Sequence, residues 1–336
     1  MIVTQTPLRL SFLGGGTDFP GYYAAPANTR GGAVVGVAID KFIYVIVKER
    51  FDDKIYINYS RKEIVDTVDE VRHDLVREAM RLTGVTGGIE ITTLADVPSE
   101  GSGLGSSSAV TVGLLQALWT YQGEIRTRDQ LAAEACQVEL DILGRPMGVQ
   151  DAYFSALGGV RQFIFGPNDP HLIRWQQPAL PPERIRELSD RMLLFYTHRT
   201  RASSTILGAQ LQNIPRRMDV LDQLRDLAHE GARCLEAGDF ERFGRLLHKG
   251  WLLKTQMASG ITDRSIDEIY EAARNAGALG GKLAGAGGGG FLLLYCPLRV
   301  QDAVRARLSG VVREFPFRIE RDGTKVIFNV RRDLYH

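Results

Sequence analysis

The 336 residues contain only three cysteines, Cys136, Cys234 and Cys296, and no two of them form a CxxC pair. An odd, scattered set argues against a disulfide framework or a thiolate zinc site and predicts reduced thiols. The six histidines show no spacing typical of a metal site or a catalytic triad. Neither sign of charge prevails: 41 Lys plus Arg face 40 Asp plus Glu, so no global field points to nucleic acid or an anionic membrane. A long apolar run is also missing. The best one, VVGVAIDKFIYVIV (34–47), is broken by Asp40 and Lys41, too early for a membrane span. The start, MIVTQTPLRL, has no apolar core of the kind a signal peptide needs. A cytoplasmic protein without membrane or nucleic-acid partners, monomeric or homodimeric, is the expectation.

What the chain does have is glycine. It carries 36, many of them clustered, within an otherwise ordinary composition of 44% hydrophobic and 24% charged residues. That length is comfortable for two domains. Short β-like runs open the chain: IVTQT, AVVGVAI, FIYVIVKE and KIYINYS. Helical period predicts a helix at 71–84, and further helices follow at 106–121 and at 128–143, the last opened by a capping pair, Thr127 with Gln130. The proline-rich stretch 167–183 marks a junction, so domains of 1–180 and 181–336 are expected. Beyond it the pattern predicts a strand at RMLLFYTH, helices over most of 203–258, and a helix capped by Ser265 with Glu268 and closed by Gly277. A strand at FLLLYCP, a helix at 300–309 and a terminal hairpin turning at Asp322–Gly323 complete an α+β chain.

Three glycine clusters carry the chemistry. In SEGSGLGSSSAV (99–110), glycines and serines lead into a helix beginning near Ser106. Free N–H groups and the positive dipole end of that helix can receive phosphate, and glycine lets an anion approach backbone closely. The plain alternative is a solvent loop with serine caps. A Walker A loop is excluded because no lysine follows, and a dinucleotide fingerprint because position 106 is serine and a long loop intervenes. A formal GxGxxG at Gly285, Gly287 and Gly290 also fails, since the order there reads helix, glycines, strand. LRLSFLGGGTDF (8–19) joins Arg9 to Asp18 across three glycines and can offer a cation and a carboxylate to one small ligand, or is simply a kinked strand end. GGKLAGAGGGGFLLL (280–294) is too rich in glycine for a regular element and implies close approach to a ligand or another backbone.

The order and content of these clusters resemble the GHMP small-molecule kinases, over nearly the whole chain. TPLRLSFLGGGTDFP, Gly103–Ser107 (GLGSS), GVQDAYFSALGG, LLHKGWLLKTQMASGIT and GGKLAGAGGGGFLLLY carry the resemblance. In detail it is strongest to the bacterial D-glycero-D-manno-heptose 7-phosphate kinases, with fucokinase-type enzymes as neighbours. The resemblance implies a ribosomal-protein-S5-like N-terminal domain, a ferredoxin-like C-terminal domain with extra helices, and ATP-dependent, Mg²⁺-dependent phosphorylation of a sugar at its anomeric hydroxyl. It implies an ATP loop of Gly101, Ser102, Gly103, Leu104, Gly105, Ser106, Ser107 and Ser108. It puts the metal on Ser107 and on Glu139, which shares a helical face with Ala135, Ile142 and Leu143; a salt bridge from Glu139 to an arginine is the alternative. Asp151 matches the family's proton acceptor, or caps the helix that follows, and Arg9 matches its first-motif cation. Sugar contacts fall to Gly15, Gly16, Thr17, Asp18, Gln150, Gly287 and Gly288. A substrate phosphate would meet Arg199, Arg201 or Lys254, unless these are surface charges. The same chemistry on another sugar such as fucose, and a catalytically silent sensor, are the rival readings.

Overall fold

The computed structural model describes residues 1–98, 101–199 and 203–330. Its first sheet is built on two long strands, β1 (Ile2–Leu13) and β2 (Gly32–Glu49), with β3 (Ile55–Asn58), β4 (Lys62–Val65), β5 (Ile89–Ala95), β6 (Val160–Phe165) and β7 (Ile173–Gln176) around them. The two runs expected on either side of Asp40–Lys41 are one strand. The β1–β2 register jumps from Pro7 opposite Phe42 to Leu8 opposite Ile39, so a bulge absorbs the two charged residues. Because β2 is long, its first half pairs with β6 and its second with β5.

Short α1 (Pro20–Tyr23) follows the first glycine cluster, while α2 (Asp74–Thr83), α3 (Ser106–Gln122), α4 (Arg128–Cys136) and α5 (Gln150–Leu157) assemble beside the sheet. Helix α3 packs on β1 and β2 and touches α2, α4 and α5. Buried nearly all round, it lacks a polar face. The capping box of Thr127 and Gln130 opens α4 as expected.

After α6 (Pro182–Asp190) comes β8 (Met192–Tyr196), which joins β9 (Gly280–Leu283), β10 (Phe291–Tyr295) and β11 (Arg313–Glu314) in an antiparallel sheet ordered β11-β8-β10-β9. The helices between are α7 (Ser203–Asn213), α8 (Met218–Ala237), α9 (Phe240–Lys254) and α10 (Arg264–Asn275), with α11 (Gln301–Leu308) after β10. Helix α8 packs on β2 and on α9, which in turn packs on β9, so this helix pair joins the two sheets. The buried apolar side chains form one continuous core.

Three local expectations are corrected. Helix α10 is capped by Asp263, whose carboxylate accepts from the Ser265 and Ile266 N–H groups; Ser265 already lies inside the helix. Residues 285–290, all glycine except Ala286, follow strand β9 rather than a helix and form the turn of a β9–β10 hairpin. The terminal hairpin is absent: Ile319 bridges to Ile39, whereas β12 (Lys325–Asn329) pairs with β1 at the edge of the first sheet. The Asp322–Gly323 segment between them lies on Gly158 at the end of α5, and a Cβ there would stand 2.2 Å from Asp322 C. That close approach directs the two halves to different strands.

Candidate active site

A cleft of about 310 Å³ gathers residues from both sheets. One wall is the glycine–serine loop. Gly101, Gly103 and Gly105 all have positive φ, and a Cβ on Gly103 would stand 2.4 Å from the Ala284 carbonyl oxygen. The loop therefore lies backbone to backbone on the third glycine cluster. Leu104 is buried, and its carbonyl accepts from the Arg9 N–H at 3.0 Å, anchoring the loop to β1. Ser106, Ser107 and Ser108 form the first turn of α3 and line the cleft with Gly101, Ser102, Gly103 and Gly105. Unpaired N–H groups at this 17-residue helix's start make an anion seat.

Beside that seat stands Glu139, wholly buried. Helix α4 continues into a π turn, Gln137–Ile142, which changes the side-chain register. Glu139 thus turns inward while Ile142 is half exposed, and the expected common face breaks. The Ser107 hydroxyl donates to Glu139 Oε2 and accepts from Arg145 Nη1 at 2.6 Å. Arg145 also reaches Glu139 Oε2 at 3.3 Å and holds Asp74 through two bonds of 2.9 and 2.8 Å. Burial pushes the Glu139 carboxyl up, against the opposing pull of Ser107 and Arg145. The ion-pair alternative is realised, yet Glu139 Oε1 is buried with no hydrogen-bond partner. A spare carboxylate oxygen beside a serine hydroxyl is a donor set of the hard oxygen type that Mg²⁺ takes. No group of three His, Cys, Asp or Glu suited to a metal occurs among the described residues, so further ligands would be phosphate or water.

At the cleft floor Arg9 grips Asp151 in a bidentate pair, Nε to Oδ1 at 2.7 Å and Nη2 to Oδ2 at 2.6 Å, with Nη1 on the Gly103 carbonyl at 2.5 Å. Asp151 is not the cap of α5. It lies inside the first turn, after the cap residue Val149, where the dipole favours its charge. Asp18 accepts from the Gly16 N–H at 2.9 Å and the Gln150 N–H at 3.4 Å. Burial and the nearby Asp151 push its carboxyl up. Gly148 is required here, since a Cβ would sit 1.9 Å from Asp18 Oδ2. Gly15, Gly16 and Gln150 line the same space.

Several expected contacts lie elsewhere. Thr17 is buried with its hydroxyl bonded to the backbone of Ala33, accepting at 3.1 Å and donating at 2.8 Å. Gly287 and Gly288 pack on Ile261, and Gly285 and Ala286 line the cleft instead. Leu104 serves the loop through its backbone and the core through its side chain. Arg199 pairs with Asp263 at 2.7 Å, away from the cleft lining, and Arg201 lies outside the described residues. Lys254 is in the cleft, bonded to Gly15 O at 3.2 Å and Gln210 Oε1 at 2.5 Å. Burial lowers it to about 8, opposed by Asp18. Arg145, Ser11 and Lys282 also line the cleft. Ser11 and Lys282 lie inside the first and third glycine clusters, but nothing in the sequence singles either of them out.

Comparison with known proteins decides the family. The GHMP kinases N terminal domain matches residues 64–159, and GHMP kinases C terminal matches 232–313. A mevalonate kinase of Methanothermobacter thermautotrophicus is 31% identical over 245 residues, 69% of this chain and 73% of that protein. The chain belongs to the GHMP kinases. These enzymes use ATP as phosphoryl donor, and the two-sheet α+β arrangement is theirs. The chain is also 28% identical to a D-glycero-alpha-D-manno-heptose 7-phosphate kinase of Campylobacter jejuni, over 94% of this chain and 96% of that one. In fold it is similar to a crystal structure of a D-glycero-D-manno-heptose 1-phosphate kinase from Bacteroides thetaiotaomicron, at a TM-score of 0.79 and 24% identity, covering 98% of this chain and 100% of that one. No helix among the described residues of this GHMP kinase is long and apolar enough to cross a membrane.

Proposed function

We propose that this protein transfers the γ-phosphoryl group of ATP to the anomeric (C1) hydroxyl of D-glycero-D-manno-heptose 7-phosphate, giving the 1,7-bisphosphate. One observation carries the reading: the Arg9–Asp151 pair stands in the same cleft as the α3 anion seat and Asp18. Asp151 accepts the hydroxyl proton. Carboxylates are weak bases toward ordinary alcohols and better matched to the more acidic anomeric hydroxyl. Arg9 fixes the carboxylate and adds positive charge where the phosphoryl group passes. Asp18 and Gln150 accept and donate hydrogen bonds to the sugar, with Gly15 and Gly16 leaving room for the ring. Ser107 and Glu139 would hold Mg²⁺, which neutralises phosphate charge when bound.

The similarity to the Campylobacter heptose 7-phosphate kinase over most of both chains supports the acceptor. Its phosphate is assigned to Ser203 and Ser204, at the start of α7, and to Lys254, all of which line the cleft. A second reading, the same transfer to a sugar without that phosphate, is favoured by the position of Arg199, which Asp263 holds outside the cleft lining. The working domain boundary is residue 180, with β12 returning to the first sheet. The cytoplasm, where ATP is plentiful, is the proposed compartment. Asp151→Asn tests the mechanism: ADP release should fall at least ~10²-fold while ATP affinity stays within about twofold. A near-normal rate would remove Asp151 from the chemistry.

A further inference from the structure

Three polar groups converge over Gly15. The point where its Cβ would stand is 3.4 Å from Ser11 Oγ, 3.7 Å from Lys282 Nζ and 3.8 Å from Gln150 Nε2. Ser11 Oγ has no hydrogen-bond partner, and the Lys282 ammonium makes no hydrogen bond to a described residue, although Lys282 is only 6% exposed. Gln150 Oε1 is likewise unpartnered. Buried polar groups left open cost free energy unless a ligand completes them. Two strands and a helix aim them: Ser11 is on the face of β1 that carries Arg9, Lys282 rises from β9, and Gln150 precedes Asp151 on α5.

The charges around this niche are Arg9 from β1, Asp18 from the first glycine cluster, Asp151 from α5 and Lys254 from α9. Arg9 is engaged with Asp151 and Gly103, and Lys254 with Gly15 and Gln210. Lys282 is the cation in this set without such a bond. Burial, Lys254 and Arg9 lower it to about 7, and an anion beside it would favour the charged form again.

We infer that Lys282, assisted by Ser11, is a catalytic residue that holds the phosphoryl group during transfer. This rests on the phosphotransferase reading but not on the identity of the sugar. In the step, the acceptor hydroxyl oxygen forms a bond to the γ-phosphorus. The bond from γ-phosphorus to the β,γ-bridging oxygen breaks, its electron pair leaves with ADP, and the hydroxyl proton passes to Asp151. Lys282 Nζ and the Ser11 hydroxyl donate to the non-bridging γ-oxygens, which ADP lacks.

The test compares Lys282→Met, Lys282→Arg and Ser11→Ala with the wild type. Affinity for a non-hydrolysable ATP analogue and for ADP is measured without acceptor, and kcat with whichever sugar the wild type turns over. Lys282→Met should weaken the analogue at least ~10-fold against ADP and lower kcat ~10²-fold or more. Lys282→Arg should restore part of both, and Ser11→Ala should lower kcat about tenfold. Removing a buried ammonium should not lower Tm, so a folding defect is recognisable. An unchanged ratio of analogue to ADP affinity with normal kcat would overturn the inference. So would a rise confined to the KM of the sugar. The nucleotide readout needs no acceptor, so it stands or falls separately from the heptose assignment.

Discussion

Lys254 and Lys282 lie in one cleft with pKa values lowered to about 8 and about 7 from a usual 10.5, chiefly by burial. An unfolded chain keeps both protonated up to about pH 10.5, so between 7 and 10.5 the unfolded state binds more protons than the folded one. Stability must then rise with pH through that window; the penalty is complete below 7 and gone above 10.5. Without nucleotide, the Tm of the wild type should climb from pH 7 to pH 9 relative to that of Lys282→Met, and a constant difference would refute the electrostatics. At this scale the sequence was uneven. Arg9, Asp18 and Asp151 stood out because each sits in a short motif, and Glu139 because the family resemblance points to it. Arg145 and Lys282 did not, because their roles depend on partners distant in the chain: Ser107 and Asp74 for one, the niche over Gly15 for the other. Thr17 shows the opposite: it lies inside a motif, yet only the fold reveals that its hydroxyl belongs to Ala33.

Elements set the geometry of the two halves of the site through different glycines. Gly103 has φ +73° and meets the Ala284 carbonyl, so Gly103→Ala must strain or lift the glycine–serine loop proposed to hold the nucleotide. ADP affinity should fall at least ~10-fold, as read by calorimetry. Gly148→Ala instead drives a methyl group into the Asp18 carboxylate, and the sugar KM should rise while ADP affinity holds. If both variants gave the same pattern, the division of the cleft would be wrong. Helices with a clear period, such as α2, or a clear cap, such as α4, were legible in sequence. The π turn after α4 was not, because a single-residue change of helical pitch leaves apolar spacing almost intact while it re-aims Glu139. The bulge at Asp40–Lys41 hid the length of β2 in the same way.

For the whole molecule, the two sheets are tied by α8 and α9 and closed by the return of β12 to β1. The Thr6 and Thr324 hydroxyls bond at 2.9 Å beside that return. A chain ending at residue 323 should therefore lose stability in the first sheet and melt at a clearly lower temperature, whereas an unchanged Tm would make β12 an appendage. The α+β class was readable from the mixed strand and helix runs, and the family from three glycine clusters in order. The path of the last strand was not, because strand pairing across more than 300 residues leaves no local mark. The most direct measurement is ADP release from Mg·ATP with D-glycero-D-manno-heptose 7-phosphate, the product position assigned by ³¹P NMR. Stoichiometric formation of a 1,7-bisphosphate is the predicted result. Turnover only of unphosphorylated sugars, or phosphate found on any position other than C1, would contradict it.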